Sequence, residues 1–496
     1  MVEAVTVADL AGWDAELRFL TDGLGCLFKR PEPRATFTSM VRAMLADVAK
    51  KNSWGLAEYA GLATPQAFEH LLNGAKWSAE ELRDQIRGYV LAGLADPGGA
   101  LILDDTQAIK KGDKSVGVAP QHCGATGQVE NCQCMVMLSY ASVHGHAFVD
   151  RELYLPACWT DDPQRCRAAG VPAERGFLTK PQLGIAMLAR ALAVLAADPA
   201  LAWSWFVADS GYGRDPALRA FCHQQAVAYV LAVPCDLRLL DVRGTSRRAD
   251  TLLAETDPQV WQQRSAGAGS KGLRYYDWAA HAVTVKGQQP APGFAHTLLI
   301  RRAITPKVTA RHPDGIVEVE YFLVHAPAGT AITAMITAAG LRWNIEDDNK
   351  AGKDQLGLDA YQVRKWDPWH RHVTISMLAH AFLAVTRASL GKDPSPTPRR
   401  PTPRPGPADR LQPRRDPRPA RRHHPRPPQP RLGRGDSPRS LAPYPPDQSQ
   451  NQPLPTPRRP TTKRSMNVVP VELRYEQLGS GDLQQLTEYH TGTNPR

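Results

Sequence analysis

No stretch of about 18 residues in this chain is both apolar and free of charge, so a membrane-spanning helix is not expected. The start, Met1-Val2-Glu3-Ala4-Val5, lacks the basic residues and apolar run of a secretory leader. Cysteine is sparse, eight residues in 496, which suits a reducing compartment and sets a cytoplasmic expectation. Cys132-Gln133-Cys134, with His122 and Cys123 nearby, lacks the spacing of zinc ribbons, and buried strand cysteines account for it better. The body of the chain also lacks net charge. The formal excess of +11 lies wholly from Lys392 onward, where 20 basic residues meet 9 acidic ones, leaving 40 of each before it. Any nucleic-acid argument must therefore rest on local sites rather than on the basic pI.

What is present is a set of carboxylates in chosen places. Ala100-Leu101-Ile102-Leu103 reads as a short buried strand ending in Asp104-Asp105-Thr106. Trp203-Ser204-Trp205-Phe206-Val207-Ala208 reads as another, ending in Asp209-Ser210-Gly211-Tyr212-Gly213. Gly340-Leu341-Arg342-Trp343-Asn344-Ile345-Glu346 and the residues to Lys353 read as a helix. At roughly 100° per residue, Arg342, Glu346, Lys350 and Lys353 fall within about 80° of one another. By itself that stripe is equally a solvated face held by i,i+4 ion pairs. Ligands in open α/β sheets gather beyond the carboxyl ends of strands, so two strand-end aspartates and a helical glutamate can meet at one point. Three carboxylates together call for a hard divalent cation, and two such ions clamp the attacking and leaving oxygens of an in-line phosphoryl displacement. The chemistry implied is cleavage or joining of nucleic-acid strands, with the neighbouring cations on phosphate.

The order Asp, Asp, Glu, with Arg342, Glu346 and Lys353 at their spacing, resembles the signature of bacterial DDE transposases with a ribonuclease-H-like core. Asp104-Asp105-Thr106, Lys110-Lys111-Gly112, Ser115-Val116-Gly117-Val118 and Asn131-Cys132-Gln133-Cys134 look like the insertion sequence 701 family, as do Gly357-Leu358, Tyr361-Gln362-Val363-Arg364 and Trp369-His370-Arg371-His372. The likeness runs from about residue 27 to 390, with Ala339 where the wider signature has tyrosine. It implies binding of insertion-sequence ends, strand cleavage and transfer to target DNA. It also implies two Mg²⁺ ions, with Mn²⁺ as a substitute, and a homodimer in the DNA complex. Asp105, Asp209 and Glu346 would be the catalytic metal ligands, with Asp104 as the alternate for the first position. DNA contacts would fall to Arg342, Lys350, Lys353, Lys110, Lys111, Tyr361, Arg364 and Arg371. For 361–372 a second reading stays open, in which the tryptophans plug the core. A catalytically inactive DNA-binding remnant and a simple nuclease are the competing functions.

The expected fold is α/β, a ribonuclease-H-like mixed sheet with flanking helices. Residues 1–95 read as an all-α DNA-binding region, in which 54–60, a turn at 61–63 and 67–72 resemble a helix-turn-helix. The core is expected over 96–235 and 329–391, a β-rich insertion over 236–328, and a polar loop over 106–133. Within the insertion, the aromatics Tyr275, Tyr276 and Trp278 are candidates for stacking on bases. From 392 to 496 the chain turns rich in proline and arginine, a composition that cannot offset its ordering entropy and reads as disordered, as a frameshifted extension or as a basic arm.

Overall fold

The computed structural model describes residues 7–197, 203–269, 272–309 and 312–390. The Pro/Arg-rich segment read from sequence lies outside the described residues.

Five helices come first: α1 (Val7–Gly23), α2 (Pro31–Leu45), α3 (Ser53–Tyr59), α4 (Gln66–Asn73) and α5 (Ala79–Leu94). Their starts carry local signals. Asn52 accepts from the Gly55 N–H at 2.9 Å to cap α3, and Ser78 accepts from the Glu81 N–H at 3.1 Å to cap α5. Strands β1 (Ala100–Ile109), β2 (Ala119–Cys123), β3 (Gln128–Ser142) and β4 (Gly145–Leu153) follow. Helix α6 (Lys180–Ala197), β5 (Trp205–Ala208), α7 (Pro216–Gln224) and β6 (Tyr229–Val233) come next. The later strands are β7 (Gln262–Gly269), β8 (Gly272–Val283), β9 (Phe294–Arg302) and β10 (Val319–Pro327). The last helices are α8 (Ile332–Leu341), α9 (Trp343–Leu356) and α10 (Trp366–Leu390).

β3 pairs antiparallel with both β4 and β1, and β1, β5 and β6 run parallel. The order β4-β3-β1-β5-β6 is that of a ribonuclease-H-like core. One sequence expectation changes here. The 106–133 stretch is largely strand: β1 and β3 continue their pairing out to Ile109 opposite Cys132, and β2 adds to the free edge of β3. The three strands read within the β-rich insertion extend the core sheet. β10 pairs antiparallel with β6, and β9, β8 and β7 follow outward, so one ten-stranded sheet runs through both regions. Alternation within each strand was legible; which strand each would join was not, because that is a long-range choice.

Helix α10 is long and apolar enough by length and composition to cross a membrane, yet its residues from Trp366 to Phe382 are nearly all buried against the rest of the chain. It packs on α5 and β4 as the central core helix. Around β4 lies a buried ion network. Asp150, fully buried, meets Arg87 at 2.6 Å, Arg190 at 2.9 Å and Arg83 at 3.6 Å. Glu152 meets Arg190 at 2.9 Å and Arg175 at 3.1 Å. Burial alone would raise the Asp150 carboxyl, but the three guanidiniums outweigh it and hold it well below the usual range.

Burial has the opposite consequence for the histidines. It depresses His370 and His372 of α10 to about 4, and His223 to about 4. Each group's folded value lies below its unfolded value near 6.5, so the unfolded chain takes up protons first as pH falls. Their stabilisation is complete above about pH 6.5 and is lost between there and about pH 4. Urea unfolding at pH 7 and pH 4.5 is expected to show a fall of several kcal/mol, on the order of 1–3 for each of the buried His370 and His372 and less for the half-buried His223, which solvent screens; equal midpoints would refute it.

Candidate active site

Asp104 and Asp105 lie mid-strand in β1, opposite Met137 and Val136 of β3, rather than at its end. On the other edge the sheet stops sooner. β5 ends at Ala208, opposite Leu103, because Asp209 leaves the strand to cap the turn Ser210–Gly213. The Asp209 carboxylate accepts from the Gly211 N–H at 2.9 Å and the Tyr212 N–H at 3.2 Å. β1 therefore overhangs its parallel neighbour, and Asp104 stands just beyond the carboxyl end of β5, where an open α/β sheet offers a site.

Successive side chains in a strand leave opposite faces, and the two aspartates obey this. Burial, then Asp209 and then Asp105, push the Asp104 carboxyl up to about 7 against the opposing influence of the Asp105 N–H and Arg342. Asp105 is held elsewhere. Its Oδ2 accepts from Lys180 Nζ at 2.7 Å, from Gln107 Nε2 at 2.8 Å and from Cys134 Sγ at 3.1 Å. Asp105 thus has a resident cation, whereas Asp104 is crowded against Asp209.

Glu346 sits in the first turn of α9 and pairs with Arg342 at 3.1 Å. The helix is tied to β1 by Lys353, whose Nζ donates to the Gln107 carbonyl at 2.8 Å. Arg342, the ion-pair partner of Glu346, also acts on the Asp104 carboxyl, which brings the start of α9 to the side of β1 that carries Asp104. Gly340, near the end of α8, lets that helix close on β7: a Cβ there would lie 2.0 Å from the Ala266 carbonyl. Arg274 of β8 donates to the Gly340 carbonyl at 2.9 Å and the Ala266 carbonyl at 2.8 Å, clamping the joint.

Among the described residues, no three His, Cys, Asp or Glu side chains are arranged to hold one metal ion. The expected trio of Asp105, Asp209 and Glu346 is accordingly not assembled: Asp105 is neutralised by Lys180, and Glu346 is drawn to Arg342. The oxygen-rich pair Asp104 and Asp209 nevertheless fits a hard divalent cation. Burial and, after it, the Asp209 charge raise Asp104, and a cation of that kind would relieve the repulsion.

The residues expected on DNA divide into two groups. Lys111, Lys350 and Arg364 are exposed. Lys110 is turned inward. Its Nζ donates to the carbonyls of Asp359 and Tyr361, both at 3.2 Å, lies over the Tyr361 ring at 3.7 Å, and is depressed by burial to about 8. Tyr361 is buried, its hydroxyl donating to Gln133 and accepting from Trp369 Nε1 at 3.0 Å. Arg371 is buried too and donates to the carbonyls of Leu72 and Trp77 at 2.8 and 2.9 Å, fastening α10 to the N-terminal helices. Tyr361 and Arg371 therefore serve the core, and Trp366, Trp369, His370 and His372 are buried with them. Of the insertion aromatics, Tyr275 is 52% exposed, whereas Trp278 is fully buried.

The helix pair α3–α4 forms, yet its second helix exposes Gln66, Glu69, His70 and Asn73, without a lysine or arginine. Sequence reading passed over Lys180, Arg274 and Tyr212. Tyr212, three residues past Asp209, is almost fully buried, and its hydroxyl lacks a hydrogen-bond partner while Asp105, Asp104 and Asp209 all act on it. The only local signal for it was its place in the turn after the strand.

Fold and site together define a ribonuclease-H-like chain with a paired-aspartate centre and a glutamate helix beside it. The family model described as DDE superfamily endonuclease matches residues 23–282, over half of the chain, and that described as transposase DDE domain matches residues 185–382. The chain belongs to the DDE superfamily endonucleases and is similar over residues 185–382 to the transposase DDE domain. The first match covers Asp104 and Asp209, and the second covers Asp209 and Glu346. No curated protein matches the chain.

Proposed function

We propose that this protein is the transposase of a bacterial insertion sequence resembling the 701 family, which binds the element's ends, cleaves their strands and joins them to target DNA. The observation that carries the proposal is the pair Asp104 and Asp209 at the parallel strand ends, where Asp209 helps to raise the Asp104 carboxyl, with Arg342, the ion-pair partner of Glu346, acting on Asp104 as well. Asp104 and Asp209 would hold Mg²⁺, or Mn²⁺ in its place, with Glu346 joining once Arg342 turns to phosphate. Bound there, divalent cations supply charge neutralisation at the attacking and leaving oxygens of phosphoryl transfer. The protein's own share is positional. Lys180 holds Asp105 out of the centre, Lys353 fixes α9 to β1, and the exposed Lys111, Lys350 and Arg364 face the DNA backbone. Water attack frees a 3′-hydroxyl, which then attacks a target phosphodiester, so bond breaking and joining balance without a nucleotide cofactor. A homodimer on paired ends and action on the nucleoid in the cytoplasm complete the proposal.

The test is Mg²⁺-dependent cleavage of DNA carrying the ends that flank the gene, with the full chain. Nicking at the element boundary followed by strand joining is the expected result. Binding without cleavage would mark a non-catalytic remnant, and cleavage that never joins would mark a nuclease.

A further inference from the structure

A cleft opens beside the candidate active site and is not used by the reaction just described. Its floor is the loop 46–52 between α2 and α3, which is gripped on both sides. A Cβ on Gly55 would lie 2.1 Å from the Lys50 carbonyl, and one on Gly357, left-handed at φ 64°, would lie 2.6 Å from Lys51 Cβ. Lys51 itself is spent on the carbonyls of Met44, at 2.6 Å, and Ala46. Such a floor is pre-formed. One lobe, of about 300 Å³, is bounded by Lys50, Asn52 and Lys353; the other, of about 510 Å³, shares Lys50 and Asn52 and reaches Trp54 and Tyr59. These volumes suit a small organic group such as a nucleotide.

Two features say what would fill it. Trp54 and Tyr59 are large aromatics on the short helix α3, yet they are 62% and 58% exposed. Indole faces left open beside lysines are the stacking platforms of unpaired bases, and a duplex hides its base faces except at its ends. Second, Lys353 ties the cleft to the strand that carries the candidate site, since it lines one lobe while donating to the Gln107 carbonyl three residues past Asp104. Asp47, Glu58 and Asp354 also line the two lobes, so this is no general phosphate trough. Affinity must come mainly from stacking, with Lys50 and Lys353 fixing one phosphate.

We infer that this cleft seats an unpaired nucleotide of the DNA strand leaving the carboxylate centre, its base stacked on Trp54 and its phosphate between Lys50 and Lys353. The inference rests on the strand-cleaving reading above.

The experiment titrates the full chain, without divalent cation, into a single-stranded oligonucleotide carrying 2-aminopurine and into the same sequence as duplex. Wild type is expected to quench the single strand and to prefer it over duplex. Trp54→Ala should weaken that binding about tenfold or more, and Trp54→Phe should retain most of it. Circular dichroism and sedimentation are measured on every variant. Trp54→Ala binding as tightly as wild type, with the fold intact, overturns the proposal. So does a changed oligomeric state with unchanged oligonucleotide affinity, which would assign the aromatics to a protein contact. Because cleavage plays no part in the titration, failure here leaves the strand-cleaving reading standing, and failure of cleavage leaves this result readable.

Discussion

Asp104→Asn and Asp209→Asn are each expected to lower divalent-cation-dependent DNA cleavage by on the order of 10³-fold, the scale on which losing one preorganised charge-stabilising group is felt. Asp105→Asn should cost less, about 10–100-fold, as a supporting residue does. The ranking follows from where the carboxylates point. Asp104 is raised to about 7 by burial and by Asp209, so it is the group whose charge lacks compensation. Asp105 already has Lys180 at 2.7 Å. A second readout separates chemistry from folding. Replacing Asp104 by asparagine removes a crowded carboxylate, so without metal the variant should unfold in urea no more easily than wild type. Replacing Asp105 strands Lys180 against Cys134 and should destabilise the protein. Full activity in Asp104→Asn together with a dead Asp105→Asn would reverse the assignment.

Asp150→Ala is expected to destabilise the folded chain by about 3–5 kcal/mol, the cost of leaving buried charge uncompensated. Three guanidiniums converge on this one carboxylate: Arg83 and Arg87 from α5 and Arg190 from α6. Arg190 retains Glu152 at 2.9 Å, and Arg83 retains Glu80 and Asp84, but Arg87 is left with Asp84, which is about half exposed. The network joins β4 to both α5 and α6, so its loss should appear across the whole unfolding transition rather than in one segment. Urea titration of the full chain, followed by circular dichroism, measures it. A loss under about 1 kcal/mol would mean that water enters and solvates the arginines.

Much of this protein can be read from its residues in order. The apolar runs at 100–103 and 205–208 become β1 and β5, and the helical spacing at 181–196 becomes α6. Aspartate next to Ser-Gly marks the end of β5, and Ser78 with Glu81 marks the start of α5. These are local effects, governed by the period of hydrophobicity and by side chains that satisfy nearby backbone donors. Local pattern also offered Asp104 and Asp105 as an unresolved pair, since alternation says that they face apart but not which face meets Asp209.

Tertiary structure alone decided the rest. Asp104 became the neighbour of Asp209 because β1 overhangs β5 in this register, and Lys180 claimed Asp105 across 75 residues of chain. Tyr361 and Arg371, which look like DNA contacts in a basic and aromatic stretch, are consumed by Gln133 and by the carbonyls of Leu72 and Trp77. Strands β7 to β10 joined the core sheet through the pairing of β10 with β6, which brings Arg274 to the root of the glutamate helix. Each of these is a contact between residues far apart in the chain. Local sequence sets which elements can form and which faces are apolar; long-range pairing, driven by burial of those faces, decides which polar groups are paid off inside and which remain free for chemistry.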